Sequence, residues 1–125
     1  MPDPRRGLGR SSEDAAAAWL TRQGLTIVER NLRFAEGEID LVCRDGATWV
    51  FVEVKSRRRG WGDSAAAAVT PDKQRRLARL ARHYVKRKRL GSAPCRFDVV
   101  AVTVEPDGSA SEIRHLRDAF AAGAW

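Results

Sequence analysis

Three charged residues interrupt segments that otherwise read as apolar strands. Asp40 lies within Glu38–Cys43, and Glu53 and Lys55 close the run Thr48–Lys55. Buried charges are rare unless they are paired or bound to a metal. The dipeptide Asp45-Gly46 is a strong hairpin signal that joins the two runs. With these two as the loop residues, Arg44 faces Ala47 and Asp40 faces Phe51. Glu53 then becomes the diagonal neighbour of Asp40, about 7–8 Å away between Cα atoms. Because strand side chains alternate, Asp40, Glu53 and Lys55 project from one face. Two carboxylates so placed can share a hard cation such as Mg²⁺, whose oxygen ligands sit at about 2.0–2.1 Å. A cation held there would polarise a phosphodiester and lower the pKa of a water. A lysine beside it would orient that water, stabilise developing charge or act as a base. This is the chemistry of metal-assisted phosphodiester hydrolysis. A salt bridge from Lys55 to Glu53 or Asp40 at a sheet edge accounts for the same residues, and the charge pattern alone does not choose.

The elements that must position these residues follow from local signals. Met1–Arg10, with two prolines, two glycines and three arginines, reads as a flexible basic tail. Ser11 is a helix cap, with Asp14 in a capping-box-like position, and Gly24 stops the helix after Gln23. Strands are expected at Leu25–Asn31, Glu38–Cys43 and Thr48–Lys55. The last is nearly continuous in apolar residues and so belongs in the middle of a sheet. Arg57–Asp63 reads as a loop. Thr70-Pro71 opens a second helix as N-cap and first residue. That helix reaches about Arg89, with Leu77, Leu80, Ala81, Tyr84 and Val85 as its apolar stripe. Phe97–Val104 is a fourth strand, Ser111–Leu116 a weak fifth, and the last residues suggest a short helix. The order α-β-β-β-α-β-β describes an α/β sandwich with a mixed central sheet, in one domain over residues 11–125.

Composition narrows the function classes. The chain has 125 residues, 43% of them hydrophobic and 31% charged, which is globular rather than disordered. No apolar run approaches the roughly 18–20 residues of a membrane span. The basic N-terminus has no apolar h-region behind it, so a cytoplasmic protein without a membrane partner is expected. Cys43 and Cys95 read as reduced small hydrophobes, and no zinc-ligand spacing is present. There are 23 Lys and Arg against 16 Asp and Glu, a net charge of +7. That balance favours a polyanionic partner, nucleic acid first.

The motifs carry a family resemblance. Gly37-Glu38-Ile39-Asp40-Leu41-Val42 followed by Phe51-Val52-Glu53-Val54-Lys55-Ser56-Arg57 resembles the PD-(D/E)xK nuclease signature. More closely, the chain resembles the YraN-like family of small bacterial proteins, relatives of the Holliday-junction resolvases. The likeness extends to Glu13, Asn31-Leu32-Arg33, Lys73–Arg76 and Arg96-Phe97-Asp98-Val99-Val100. It implies a restriction-endonuclease-like fold. It also implies Asp40 and Glu53 as ligands of Mg²⁺ or Mn²⁺, helped by the Val54 carbonyl, with Lys55 as the catalytic lysine. Glu13 would be a further active-site carboxylate, although it follows Ser12 where the family usually has glycine. Resolvase relatives often dimerise, so a homodimer is also open. Read from its spacing alone, Glu13 is either a residue facing the sheet or ordinary helix-start decoration.

Basic residues supply candidate phosphate contacts. Arg57, Arg58 and Arg59 follow the Glu-x-Lys strand and would overhang the proposed ion. Pro71–Arg89 carries nine Lys and Arg against one acid, and Lys73 and Arg76 sit near the helix start, where anions gain most. Trp61, between two glycines, would either stack on an unpaired base or fold back onto the domain. Asp98 interrupts the fourth strand as a partner for an arginine or a neighbour of the site. The expectation is a metal-dependent endonuclease on DNA, with RNA less favoured and branched or flapped DNA among the substrates. Its rivals are a non-catalytic nucleic-acid-binding module that keeps the nuclease fold, and an adaptor for an acidic protein.

Overall fold

A computed structural model of the chain describes the backbone of residues 4–59 and 69–121, with side chains in the first helix from residue 12 onward. The elements run α1 (Pro4–Arg22), β1 (Thr26–Phe34), β2 (Gly37–Asp45), β3 (Thr48–Arg58), α2 (Pro71–Arg87), β4 (Cys95–Val104) and β5 (Ala110–Phe120). The five strands form one sheet in sequence order. β3 and β4 are parallel and every other neighbouring pair is antiparallel. Parallel neighbours need a long crossover, and the segment carrying α2 supplies it.

Each helix covers one face of the sheet. Leu77, Leu80 and Tyr84 of α2 pack on Ile39, Phe51, Phe97 and Val99. Ala16 and Leu20 of α1 pack on Leu41, Val50, Val52, Val100 and Val102. Alternate residues of the central strands therefore serve opposite cores, which is why the run through β3 is continuously apolar. The result is the expected mixed α/β sandwich of restriction-endonuclease type. Among the described residues, no helix is long and apolar enough to cross a membrane. Cys43 and Cys95 are free thiols, and burial pushes the Cys43 thiol up to about 12.

Several boundaries differ from the sequence reading. α1 begins at Pro4, so residues 4–10 are helical rather than a tail, and Ser11 lies inside the helix instead of capping it. The stop at its other end is as expected, with Gly24 at φ +95° and Leu25 N–H donating back to the Leu20 carbonyl. β3 continues through Arg57 and Arg58, because β4 offers Thr103 and Val104 as partners there. β5 runs on to Phe120 where a short helix was expected, pairing that residue with Phe97. α2 has the expected cap, with Lys73 N–H donating to Thr70 Oγ1 at 3.3 Å, but ends at Arg87 rather than Arg89.

The β2–β3 turn is also displaced. Asp45 pairs with Thr48, which leaves Gly46 and Ala47 at the tip. Gly46 takes φ +60°, whereas Asp45 stays extended in the ladder, its carboxylate bound by Arg96 and Arg117. An Asp-Gly loop of the first kind would have required positive φ at both residues. The register therefore moves by two, and parity is conserved: Glu53 and Lys55 keep the face of Phe51.

Candidate active site at the divergence of two strands

β2 and β3 pair from Asp45 and Thr48 as far as Leu41 and Val52, and there the ladder ends. The next residue of β2 is Asp40. Its neighbours show that strand alternation slips at this point. Ile39 and Val42 both pack in the α2-side core, while Leu41 and Cys43 pack in the α1-side core. The pairing with β1 skips the same place, passing from Arg30 and Leu41 directly to Leu32 and Ile39. Asp40 is thus turned toward β3. Its Oδ2 accepts a hydrogen bond of 2.8 Å from the backbone N–H of Val54. Its carboxyl is also hydrogen-bonded to that of Glu53. Instead of the predicted diagonal pair, Asp40 and Glu53 are in direct contact, because the turn lies two register positions further on.

The electrostatics follow from this contact. Burial pushes Glu53 up to about 7, helped by the charge of Asp40 and the hydrogen bond to it, against Lys73 and Arg76. Burial also pushes Asp40 up to about 6, though the Val54 N–H and the Glu53 carboxyl both oppose the rise. Both carboxyls are therefore held toward their protonated forms, with burial the largest cause in each. A cation placed between them would favour the ionised forms instead.

The donor set suits a hard cation. In an extended strand a residue that gives its N–H to one neighbour directs its carbonyl to the same side. The Val54 carbonyl accordingly faces the Asp40 edge. Asp40, Glu53 and Val54 together offer only oxygen, which fits Mg²⁺ or Mn²⁺ and not a thiolate-seeking metal. Among the described residues no group of three or more His, Cys, Asp or Glu side chains is placed to hold a metal ion, so a cation here could draw only on the two carboxylates and the Val54 carbonyl.

Other predicted residues fall around this pair. Lys55 is exposed, two residues beyond Glu53 on the same face of β3. Lys73 and Arg76, at the start of α2, act electrostatically on Glu53, and Lys73 also on Asp40. Arg76 reaches the site by lying across Gly37, where a Cβ would stand 3.5 Å from its Cδ. Glu13 is half-buried on α1. Burial raises its pKa first, followed by repulsion from Asp40 and Glu38. Glu38 itself is exposed beside the site, 3.7 Å from Arg33.

The arginine triplet does not act as one overhanging loop. Arg57 and Arg58 are adjacent strand residues and so face opposite sides. Arg57 Nε donates to Thr103 Oγ1 at 3.2 Å, and Arg59 pairs with Glu105 at 2.7 Å. Trp61 lies outside the described residues. Asp98 belongs to a separate network on the α1 side, with Arg96 and His115.

Two contributors were not singled out from the sequence as parts of the site. Ser12 is buried and its hydroxyl hydrogen-bonds to that of Ser56, just past Lys55. The residue that stands where the family usually has glycine is therefore a brace between α1 and β3. The Asn31 amide of β1 faces the Glu13 carboxylate; assigning its nitrogen to that side, as an acceptor-only neighbour requires, lets it donate to both Glu13 oxygens at 2.6 and 3.0 Å. The polar doublet Arg30-Asn31, set in a strand that continues to Phe34, was the available signal.

The surrounding sequence has close counterparts. At 53% identity over 123 residues, a UPF0102 protein of Cupriavidus taiwanensis matches 96% of this chain and 89% of its own length. One from Symbiobacterium thermophilum is 50% identical over 115 residues, covering 92% of this chain and 97% of its own. Another, from Geobacter sulfurreducens, is 46% identical over 114 residues, covering 90% and 88%. The profile described as "Uncharacterised protein family UPF0102" matches residues 12–102, a span that holds α1 from the Ser12 brace onward, the carboxyl pair and all of α2. With matches of this length and identity, the chain belongs to the UPF0102 family, the YraN-like proteins whose motifs it carries.

Proposed function

We propose that the protein is a metal-dependent endonuclease that hydrolyses phosphodiester bonds in DNA, with branched or flapped DNA among its substrates. The observation that carries this reading is the Asp40–Glu53 carboxyl pair, half-buried and brought together where β2 leaves β3, with Lys55 two residues along the same face. A purely binding surface has no use for two carboxyls aimed at a phosphate. Mg²⁺ or Mn²⁺ bound by Asp40, Glu53 and the Val54 carbonyl would polarise the scissile phosphate and acidify a water. Because burial holds both carboxyls toward their protonated forms, metal binding should release protons and strengthen as pH rises. Lys55 would stabilise the negative charge that grows on the phosphate or orient the attacking water. Lys73 and Arg76 would hold the phosphate backbone over the pair, and Arg57, on the same face of β3 as Glu53 and Lys55, would extend the contact, with Arg58 and Arg59 adding positive charge nearby.

The test is single-turnover cleavage of labelled linear, flapped and four-way DNA with Mg²⁺, Mn²⁺ or EDTA, beside filter binding at the same salt. Wild type should cut with metal and not with EDTA. Lys55→Ala should keep most affinity and lose roughly 10²–10³-fold in rate, the scale of one lost charge-stabilising donor. Cleavage of none of these substrates with either metal, together with a severe loss of binding in Lys55→Ala, would leave the binding-module reading in its place.

A further inference from the structure

We infer that Asn31 is a positioning residue that holds the Glu13 carboxylate on the Asp40 side of the site, an assignment that rests on the nuclease reading above. Asn31 sits in the interior of β1 yet adopts φ +52°. Left-handed backbone is costly for residues with a side chain, and asparagine is among those that tolerate it best. The strand departs from regular pairing at this residue, which falls opposite Asp40 between the pairs Arg30–Leu41 and Leu32–Ile39. The departure has a consequence: it turns the amide toward α1, and with the nitrogen assigned to the side of the acceptor-only carboxylate it reaches both oxygens of Glu13, at 2.6 and 3.0 Å.

Glu13 needs such a restraint. It is half-buried, and Asp40 and Glu38 both repel it. Left free, its side chain would be drawn toward Arg30, whose charge acts on it favourably. Arg30 is already paired with Asp14 on the outer side of α1. The Ser12–Ser56 hydroxyl contact fixes the helix on one side of Glu13, and the Asn31 amide fixes the carboxylate on the other. Together they hold a carboxylate from α1 within electrostatic reach of Asp40. Asn31 itself touches neither substrate nor ion in this arrangement; it acts through Glu13.

If Asn31 were present only because it tolerates the left-handed region, glycine would serve as well or better. Asn31→Gly is therefore the decisive variant, assayed by single-turnover cleavage with Mn²⁺ and by thermal melting. We expect an unchanged or higher melting temperature with cleavage slowed roughly 10–100-fold, as for other groups that orient a site ligand. Adding Asn31→Gly to Glu13→Gln should slow that variant no further. Asn31→Asp, isosteric and equally tolerant of this backbone, sets a carboxylate against Glu13 and should be slower than the glycine variant. Wild-type rate in Asn31→Gly, or a full additional loss in the Glu13→Gln background, would overturn the assignment and leave the nuclease intact. A wild-type protein that cuts nothing would instead overturn the nuclease reading, and this assignment with it.

Discussion

Asp40 and Asp98 are both aspartates within strands of the same sheet, yet their surroundings oppose one another. Asp98 is 1% exposed and saturated with donors. Its carboxylate accepts from Arg96 Nε at 3.0 Å and from the Asp118 N–H at 2.9 Å, and lies 2.7 Å from His115 Nε2. Burial alone would raise its pKa, but His115, Arg96 and the Asp118 N–H together hold it below the usual carboxylate value. Arg96 is tied in turn to Asp45, and Trp19 Nε1 donates to His115 Nδ1 at 3.4 Å, which assigns the neutral imidazole proton to Nε2, facing Asp98. Asp40 has one backbone donor and, for its other neighbour, another carboxyl. The cations near it, Lys73 among them, act at longer range without forming an ion pair. A charge that the fold satisfies is part of the fold. A carboxyl pair that burial raises, with a backbone N–H donating to it, is not satisfied by the fold in that way.

The largest expected effect tests the satisfied side. Asp98→Ala removes the common acceptor of Arg96, His115 and the Asp118 N–H and leaves a guanidinium that is only 18% exposed with Asp45 as its remaining ion-pair partner. Loss of one partner of a buried ion pair costs about 3–5 kcal/mol, which urea unfolding at neutral pH should show. Since the folded pKa of Asp98 lies below its unfolded value near 3.8, this stabilisation is present above that pH and fades as pH falls further. A loss under about 1 kcal/mol would break the comparison, because Asp98 would then be no more integral than a surface charge.

Glu53→Gln tests the unsatisfied side, with the opposite sign. Asp40 and Glu53 have folded pKa values raised to about 6 and about 7 from model-peptide values of 3.8 and 4.5. Between those limits the folded chain binds more protons than the unfolded one. The stability of the metal-free protein should therefore fall as pH rises from about 4 to about 7. Replacing Glu53 by the neutral isostere should raise stability at pH 8 by roughly 1–2 kcal/mol and flatten that decline. Mn²⁺ should raise the melting temperature of wild type and leave that of Glu53→Gln unchanged. A destabilised Glu53→Gln would place this pair in the same class as Asp98.

The smallest effect separates the cations of the two regions. Lys73→Ala should leave urea unfolding nearly unchanged, since Lys73 makes no ion pair with Asp40 or Glu53. It should flatten the dependence of log K on log[salt] for duplex DNA by about one unit, the mark of one lost phosphate contact. Equal slopes for wild type and variant would remove Lys73 from the proposed interface.

The sequence reading reached the centre of the site for a physical reason. A carboxylate or an ammonium inside a strand of Val, Ile and Phe is costly, so its presence alone signals a demand that packing does not make. Asp40, Glu53 and Lys55 were legible in that way. The hairpin register was wrong by two, and the face assigned to Glu53 and Lys55 survived because strand periodicity is two. Asn31 and Ser12 gave no such signal. An asparagine at a strand's apparent end and a serine near a helix start are ordinary residues, and their partners, Glu13 and Ser56, lie far along the chain. Asp98 was visible as an interruption, but not its role, since His115 joins it only through the β4–β5 pairing.

The division between the two levels is sharp. By itself the sequence determined the element order, the burial of both faces of β3, the cap at Thr70 and the identity of the carboxyl pair. Each of these depends on periodicity or on the cost of burying charge within a few residues. Tertiary structure decided the rest. It set Asp40 and Glu53 in contact, brought α1 and α2 over opposite sides of the site, and made Asp98 structural. Those outcomes depend on where strands stop pairing and which distant donors arrive, and no local preference encodes either.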